Sequence, residues 1–391
     1  MTDATTGGER ERALADAAAA ALRQGDARGA VASLRQMQHP PPMLLAQACN
    51  RSGDLDGEAA ALQRILDQDI RNLPAMLAMA QNADRRGDAR GATGWYRSAL
   101  AQAAAAGAPP QLQPLLQKAQ DYVAWSSRTF EDHLMEAISG LPPLPRIQLA
   151  TDLLLGKQSL FLQQPSMFYF PGLPQRAFYE RSEFDWVAPM EAMTDAIVAE
   201  LEQVRAQEDA AFAPYVQTSP LRPAPNNPLR DDDRWGALYF CQNGEQVAAN
   251  ADRCPSVMAA LALAPVPVIA GRSPMALWSL LKPGTHIQPH HGLLNTRLIC
   301  HLPLLTPDNC ALRAARCALR VGAETRAWRK GEMLLFDDSV EHEAWNRSTG
   351  TRVVLLFEIW RPEIEAEERE ALTQLFQAID RFGPAPVDTG G

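Results

Sequence analysis

The sequence predicts a multidomain α+β protein: N-terminal all-α helical-hairpin repeats followed by a double-stranded β-helix, that is, a jelly-roll barrel with flanking helices. Three observations carry that expectation. The chain has 391 residues, too many for one ordinary hydrophobic core, so length favours two domains. From about residue 10 to residue 106 it is rich in Ala, Leu, Gln and Arg at helical spacing, and a Gly-Asp phrase recurs. Beyond residue 164 prolines multiply, and short apolar runs of β-branched and aromatic residues replace the helical pattern, which points to strands.

Hydrophobic residues at 46% and charged residues at 21% place the chain among folded, soluble proteins. A net charge of −9 without any basic block excludes a general nucleic-acid binder and leaves a protein, peptide or small molecule as partner. No run reaches the roughly 20 apolar residues of a membrane helix, and the opening MTDATTGGERER lacks a signal peptide's apolar core. The expectation is a cytoplasmic protein with no integral membrane segment. Cys49, Cys241, Cys254, Cys300, Cys310 and Cys317 are scattered without a CxxC, which predicts reduced structural thiols.

Residues 1–9 are polar and read as a tail, with structure starting near Glu11 and a repeat domain over 10–128. Gly25-Asp-Ala-Arg-Gly-Ala, Gly53-Asp-Leu-Asp-Gly-Glu and Gly87-Asp-Ala-Arg-Gly-Ala each precede a second amphipathic helix. Glycine admits a tight turn between helices, and the aspartate can cap the helix that follows. The last two phrases lie 34 residues apart, the period of tetratricopeptide repeats, which the segment resembles; the first interval is 28, shortened around His39-Pro40-Pro41-Pro42. Trp95-Tyr96 falls where such a repeat packs its second helix on the next unit. About three hairpins result, offering surface and no chemistry. A closing helix over 107–128, entered through Gly107-Ala-Pro-Pro, and a helical connector over 129–163 complete this half.

The β-rich domain is placed at 164–382, with strands at Ala276–Leu281, Arg297–Leu304, Ala318–Val321, Glu332–Phe336 and Arg352–Ile359. Lys282-Pro-Gly, Lys330-Gly and Ser348-Thr-Gly mark turns. Many short strands suit a barrel whose mouth holds a metal and a small acid. Cys310-Ala-Leu-Arg-Ala-Ala-Arg-Cys317-Ala-Leu-Arg320 echoes itself after seven residues and reads as an insertion that lengthens a loop. An amphipathic helix over Glu363–Phe382 packs outside the barrel, and 383–391 is a second tail.

Four of the seven histidines fall between His286 and His301, a fifth is His342, and Arg352 follows ten residues later. Two imidazoles from different strands, with an arginine on a later one, suit a non-haem Fe(II) centre that also holds a 2-oxoacid. Imidazole is a borderline ligand fit for Fe(II), and a guanidinium grips a carboxylate through two parallel hydrogen bonds. Arg352 also heads the run Val353-Val-Leu-Leu-Phe, apolar on both faces, where a charge needs a partner.

Three blocks carry a resemblance: Ser279-Leu-Leu-Lys-Pro-Gly-Thr-His-Ile-Gln-Pro-His290-His-Gly, Asn295-Thr-Arg-Leu-Ile-Cys-His301, and Phe336-Asp-Asp-Ser-Val-Glu-His342-Glu-Ala-Trp ahead of Arg352. Here the chain resembles the aspartyl/asparaginyl β-hydroxylase family, over about 168–363 and most strongly over 279–361. The resemblance implies a cupin-like fold and a dioxygenase that uses Fe(II), 2-oxoglutarate and O₂. His290 and His342 would hold the iron, with Gly292 where other oxygenases carry a carboxylate and water completing that face. Arg352 would bind the distal carboxylate of 2-oxoglutarate, Ser279 and His301 would hydrogen-bond the same co-substrate, and Trp235 would line its pocket. The chain departs from the family at Ile299, where a second arginine is frequent. His286 and His291 are expected to stay off the metal, and Asp337 and Asp338 to form a turn that orients His342. The implied reaction is β-hydroxylation of Asp or Asn side chains in a polypeptide, recruited through the helical repeats. The same chemistry on a fatty-acyl or small-molecule substrate, and a catalytically weak binding scaffold built on the repeats, are the alternatives.

Overall fold

The computed structural model describes residues 3–142, 144–207, 212–218, 226–307 and 316–382. The chain divides into two compact units, residues 1–155 and 156–391.

The first unit consists of helices α1 (Asp3–Gln24), α2 (Ala27–Arg35), α3 (Pro42–Ser52), α4 (Leu55–Gln68), α5 (Leu73–Arg85), α6 (Ala89–Ala106), α7 (Gln113–Ile138) and α8 (Pro145–Leu154). The recurring phrase builds the turn inside each of the first three hairpins. Gly25, Gly53 and Gly87 adopt φ of 86°, 77° and 76°, a left-handed conformation that favours glycine. The next N–H, on Asp26, Asp54 and Asp88, bonds back to the carbonyls of Ala21, Cys49 and Ala83 at 2.9, 2.9 and 3.0 Å. Each aspartate then caps the second helix, accepting from Gly29, Gly57 and Gly91 N–H at 2.8, 2.9 and 2.8 Å. Such a cap contributes about 1 kcal/mol. The second glycine is explained as well: a Cβ at Gly29, Gly57 or Gly91 would stand 2.1, 2.4 or 2.3 Å from the capping carboxylate. Small residues let the helices approach, with Ala30, Ala48, Ala75, Ala80, Ala92 and Ala99 fully buried. Tyr96 is buried on α6, and its ring lies 5.0 Å from Tyr122 on α7.

Three boundaries differ from expectation. Helix α1 starts at Asp3, not near Glu11, so the polar opening is helical. The closing helix runs on to Ile138 instead of ending at residue 128. Helical structure in the connector stops at Leu154, before Gly156 with its φ of 68°, well short of residue 163. Among the described residues no helix is long and apolar enough to cross a membrane.

The second unit holds strands β1 (Phe178–Tyr179), β2 (Ala213–Pro214), β3 (Trp235–Gln242), β4 (Glu245–Gln246), β5 (Ala276–Leu281), β6 (Thr285–His290), β7 (Arg297–Leu305), β8 (Cys317–Val321), β9 (Glu324–Ala327), β10 (Leu334–Phe336), β11 (His342–Asn346) and β12 (Arg352–Trp360). Its helices are α9 (Val187–Glu191), α10 (Thr194–Gln207), α11 (Ala248–Ala251), α12 (Pro255–Leu261) and α13 (Ala366–Phe382). A large antiparallel sheet runs β1-β10-β7-β12-β5-β3-β2 with β4 added on β3, and a small one runs β6-β11-β8-β9. They form the two walls of the predicted jelly roll.

Strand β12 shows why the large sheet is central. Val353, Leu355, Phe357 and Ile359 pack on one face with Ile197, Leu201, Val257 and Leu261 of α10 and α12. Val354 and Leu356 face the other way, into a core shared with Ile287, Leu319 and Val321 of the small sheet. A strand covered on both faces reads as an unbroken apolar run, which is how its sequence looks. Helix α13 contributes Leu372 and Phe376 to a separate cluster with Trp360 and Ile364.

Strand β10 starts at Leu334, not Glu332, because Glu332 is taken up in a bridge with Arg329. Strands β6 and β11 were absent from the expected set: Thr-His-Ile-Gln-Pro-His and His-Glu-Ala-Trp-Asn lack apolar alternation, since their outer faces are polar. The Cys310–Arg316 part of the echo and the tail at 383–391 fall largely outside the described residues, while Cys317–Arg320 forms the start of β8.

Candidate active site

The two unrecognised strands carry the paired histidines. Strands β6 and β11 are antiparallel neighbours with His290 opposite His342, and the register shifts just beyond that pair. The ring centroids are 4.1 Å apart. His290 Nδ1 lies 2.8 Å from the Gln288 carbonyl and His342 Nδ1 lies 3.0 Å from the Val340 carbonyl. A carbonyl only accepts, so each Nδ1 carries the proton and each Nε2 keeps a lone pair. Burial, with His290 alongside, holds His342 well below the usual histidine range, so it is a neutral imidazole at physiological pH. Two imidazoles with oriented tautomers are a donor set that fits a divalent transition metal. Among the described residues no three His, Cys, Asp or Glu side chains converge as a metal-binding group.

Gly292 is closed to any side chain. A Cβ there would stand 2.2 Å from Asp338 Oδ2 and 2.4 Å from its Cγ, and Gly292 N–H already donates to the Asp338 carbonyl at 2.6 Å. Asp338 in turn accepts from Arg297 Nη2 at 3.1 Å, while Arg297 Nη1 reaches Glu358 Oε2 at 2.7 Å and Met275 N–H donates to Glu358 Oε1 at 3.0 Å. Asp337 points elsewhere, accepting from Gln163 Nε2 and Arg361 Nη1 at 2.7 Å each. The Asp337-to-Val340 segment is a turn before His342, but the contact that orients the imidazole is the Val340 carbonyl and not a carboxylate.

Arg352 opens β12 and is 1% exposed. Its Nη1 donates to Ser279 O at 3.1 Å and lies 3.4 Å from Ser279 Oγ, and its guanidinium sits 4.6 Å from the Trp328 ring centroid. Nε is buried with no partner, and no carboxylate pairs with this cation among the described residues. Burial pushes its pKa down to about 10, which leaves it charged at neutral pH. His301 accepts from Trp328 Nε1 through Nδ1 at 3.3 Å, so its proton is on Nε2. Burial, reinforced by Arg352, keeps it well below the usual range and therefore neutral. Trp235 is stacked on Tyr215, with centroids 4.2 Å apart and planes 12° from parallel. Trp235, Ser279, His290, His301, His342 and Arg352 all line one cavity between the sheets, with about 690 Å³ of non-protein space including its opening to solvent. That is the size of a small-molecule site.

Residues 191–362 match the aspartyl/asparaginyl β-hydroxylase family profile, a span that contains every one of those six side chains. The domain belongs to that family. The hydroxylase-family region is 31% identical over 219 residues to aspartate β-hydroxylase domain-containing protein 2 of Homo sapiens, covering 55% of each chain. It is 28% identical over 208 residues to human aspartyl/asparaginyl β-hydroxylase, covering 52% of this chain and 26% of the human one. It is also 32% identical over 184 residues to the ornithine lipid ester-linked acyl 2-hydroxylase of Rhizobium tropici, covering 47% of this chain and 60% of that one. The chain spans about half the length of the first of these relatives.

Within the hydroxylase-family domain the structure adds residues that sequence reasoning passed over. Trp328 bonds His301 and lies over Arg352, yet Arg-Ala-Trp-Arg offers nothing to distinguish it from an ordinary core tryptophan. Tyr215 and Arg297 line the cavity too, as does Asp338, which was expected in the turn before His342; for Arg297 the one usable signal was its i,i+4 alternation with His301 on one strand. His291 lines the cavity, whereas His286 is engaged outside it, 2.6 Å from Glu343.

Proposed function

We propose that this protein is an Fe(II)- and 2-oxoglutarate-dependent dioxygenase that β-hydroxylates Asp or Asn side chains of a polypeptide. The reaction consumes 2-oxoglutarate, O₂ and one substrate C–H bond and yields succinate, CO₂ and the alcohol. The carrying observation is Arg352: a buried guanidinium with no acid beside it among the described residues is a site prepared for an anion, because an isolated charge at that depth costs several kcal/mol until it is paired. Arg352 and Ser279 bind the distal carboxylate of the oxoacid, with Nε and Nη of Arg352 as donors. His301 presents its Nε2 proton to the same molecule, and Trp235 on its Tyr215 backing forms a wall.

His290 and His342 hold the metal through Nε2. Iron bound there supplies the coordination positions at which the oxoacid chelates and O₂ is activated. A donor set of two protein ligands binds metal less tightly than three, so stripping by chelators is expected to be easy. Polypeptide as the substrate class follows the relatives named for aspartyl and asparaginyl residues. The helical hairpins of the first unit are its recruiting surface. The acyl hydroxylase relative favours a second reading, hydroxylation of an acyl chain, in keeping with Met275, Ile287, Leu319 and Leu356 in the cavity lining.

The test is direct. Purified protein with Fe(II) and ascorbate is expected to bind 2-oxoglutarate and release succinate, and His342→Ala and Arg352→Ala to lose both. Wild-type protein that neither binds nor turns over the oxoacid would return the domain to a binding scaffold.

A further inference from the structure

Helix α13 is pinned to its domain along one side and bare along another. Leu372 and Phe376 are buried beneath it, the Phe376 ring meets Phe168 edge-on with centroids 5.0 Å apart, and Asp380 pairs with Arg272. About a third of a turn round the helix, Ala371, Leu375, Ala378 and Phe382 are exposed, Leu375 by 44% and Phe382 by 97%. Their spacing of four, three and four residues is the seam of a two-stranded coiled coil, and Ile379 widens it on one side. A solvated helix face has no reason to keep that pattern. Two further features are built into the stripe. Small and large side chains alternate along it, and the charges beside it are sorted by sign: Glu367 and Glu370 near the start, Arg381 at the end. Arg369, the other cation of the helix, is turned inward onto the Ile364 and Arg361 carbonyls at 2.8 and 3.3 Å.

We infer that α13 pairs with α13 of a second copy of this chain, antiparallel, and makes the protein a weak homodimer. Two such helices laid antiparallel about a point between Leu375 and Ala378 match in shape. Leu375 faces Ala378 of the second copy and Phe382 faces its Ala371, so every large side chain meets a small one and the seam fills without voids. They match in charge as well: the same register brings Arg381 within a helical turn of Glu370 of the second copy, and the two-fold axis repeats the contact. A parallel pair would set Phe382 against Phe382, leave a gap at each alanine, and place acid beside acid and Arg381 beside Arg381. Shape and charge therefore select one partner and one direction. A seam of this length covers less than the roughly 800 Å² per partner of a standard interface, so monomer and dimer exchange with concentration. The pairing needs neither metal nor oxoacid in the cavity.

Sedimentation equilibrium of the full chain, from low to high micromolar concentration, is expected to show a reversible monomer–dimer equilibrium. Leu375→Glu puts a charge into the seam and should raise the dissociation constant at least ~10-fold. Leu375 is exposed in the single copy, so the melting temperature measured at low concentration should not move. Arg381→Glu sets acid against acid and should weaken the dimer about threefold, the scale of exposed ion pairs. Adding Glu370→Arg restores opposite charges and should return the dissociation constant to near the wild-type value, a rescue that only the antiparallel direction allows. Vesicles of phosphatidylcholine and phosphatidylglycerol provide the second probe, and the wild-type chain is expected to leave them unbound. A chain that stays monomeric throughout overturns the inference. So does a dimer indifferent to Leu375→Glu, a charge reversal without rescue, or vesicle binding that Leu375→Glu abolishes.

Discussion

The two ends of strand β12 hold buried arginines in opposite states. Arg361, just past the C-terminal end, is fully buried and satisfied: Asp337 accepts from Nη1 at 2.7 Å, the Pro174 carbonyl accepts from Nη2 at 2.9 Å, and Glu363 and the Tyr179 hydroxyl close around it. Arg352, at the N-terminal end, is equally buried but among the described residues meets only the two oxygens of Ser279 and the face of Trp328. The same residue type, nine positions apart at the two ends of one strand, is thus paired at one end and left open at the other. Burial alone distinguishes neither; the presence of an acid does.

Substitutions should break that symmetry. Arg361→Met leaves Asp337 buried beside no cation, and is expected to lower unfolding free energy by about 3–5 kcal/mol in chemical denaturation. Arg352→Met removes a cation that has no acid among the described residues, so the melting temperature should hold or rise while 2-oxoglutarate affinity falls by about 2–4 kcal/mol in calorimetry. A comparable stability loss in both variants would erase the distinction. Asp337→Asn should sit between them: it keeps most acceptors for Gln163 and Arg361 but removes the charge, costing about 1–3 kcal/mol.

The receptive end also has a pH signature. His301 and His342 stay neutral in the fold, because burial holds both well below the ordinary value of 6.5. The unfolded chain takes up protons at 6.5 that the folded chain refuses, so this contribution is complete above pH 6.5 and is lost as pH falls below it. Each histidine adds a slope of about 1.4 kcal/mol per pH unit there. His301→Gln, which retains an acceptor for Trp328, should remove one of the two increments in urea titrations at pH 6.5 and 5.5. The smallest effect is assigned to Trp328→Phe: losing one N–H donor to His301 should cost about 1 kcal/mol of stability, with a modest rise in the dissociation constant for 2-oxoglutarate.

Legibility followed the range of the interactions. The Gly-Asp phrase was readable because turn, cap and second glycine all lie within five residues of one another. Strand β12 was readable because burial on both faces writes an unbroken apolar run. Strands β6 and β11 were not, although they carry His290 and His342, since half their side chains face solvent or the cavity and are polar for that reason. The closing helix runs on to Ile138 because no strong stop signal marks residue 128 and a helix without one continues while its propensity allows, whereas the connector stops at Leu154, just ahead of the left-handed Gly156.

By itself, the sequence determined an inventory and an order: helical hairpins, then a β-rich domain, with two candidate ligand histidines and an arginine set ten residues past the second. Its family resemblance could also attach roles to them. Only the tertiary structure decided that His290 and His342, 52 positions apart, are cross-strand partners. It alone decided that Asp338 fills the space of a side chain at Gly292, that Arg297 is neutralised, and that Arg352 is not. These are matters of which strands pair and in what register, and a shift of one residue would turn each of these side chains to the opposite face. Local chemistry chooses the elements; which charge is left without a partner is settled only when the sheets close on one another.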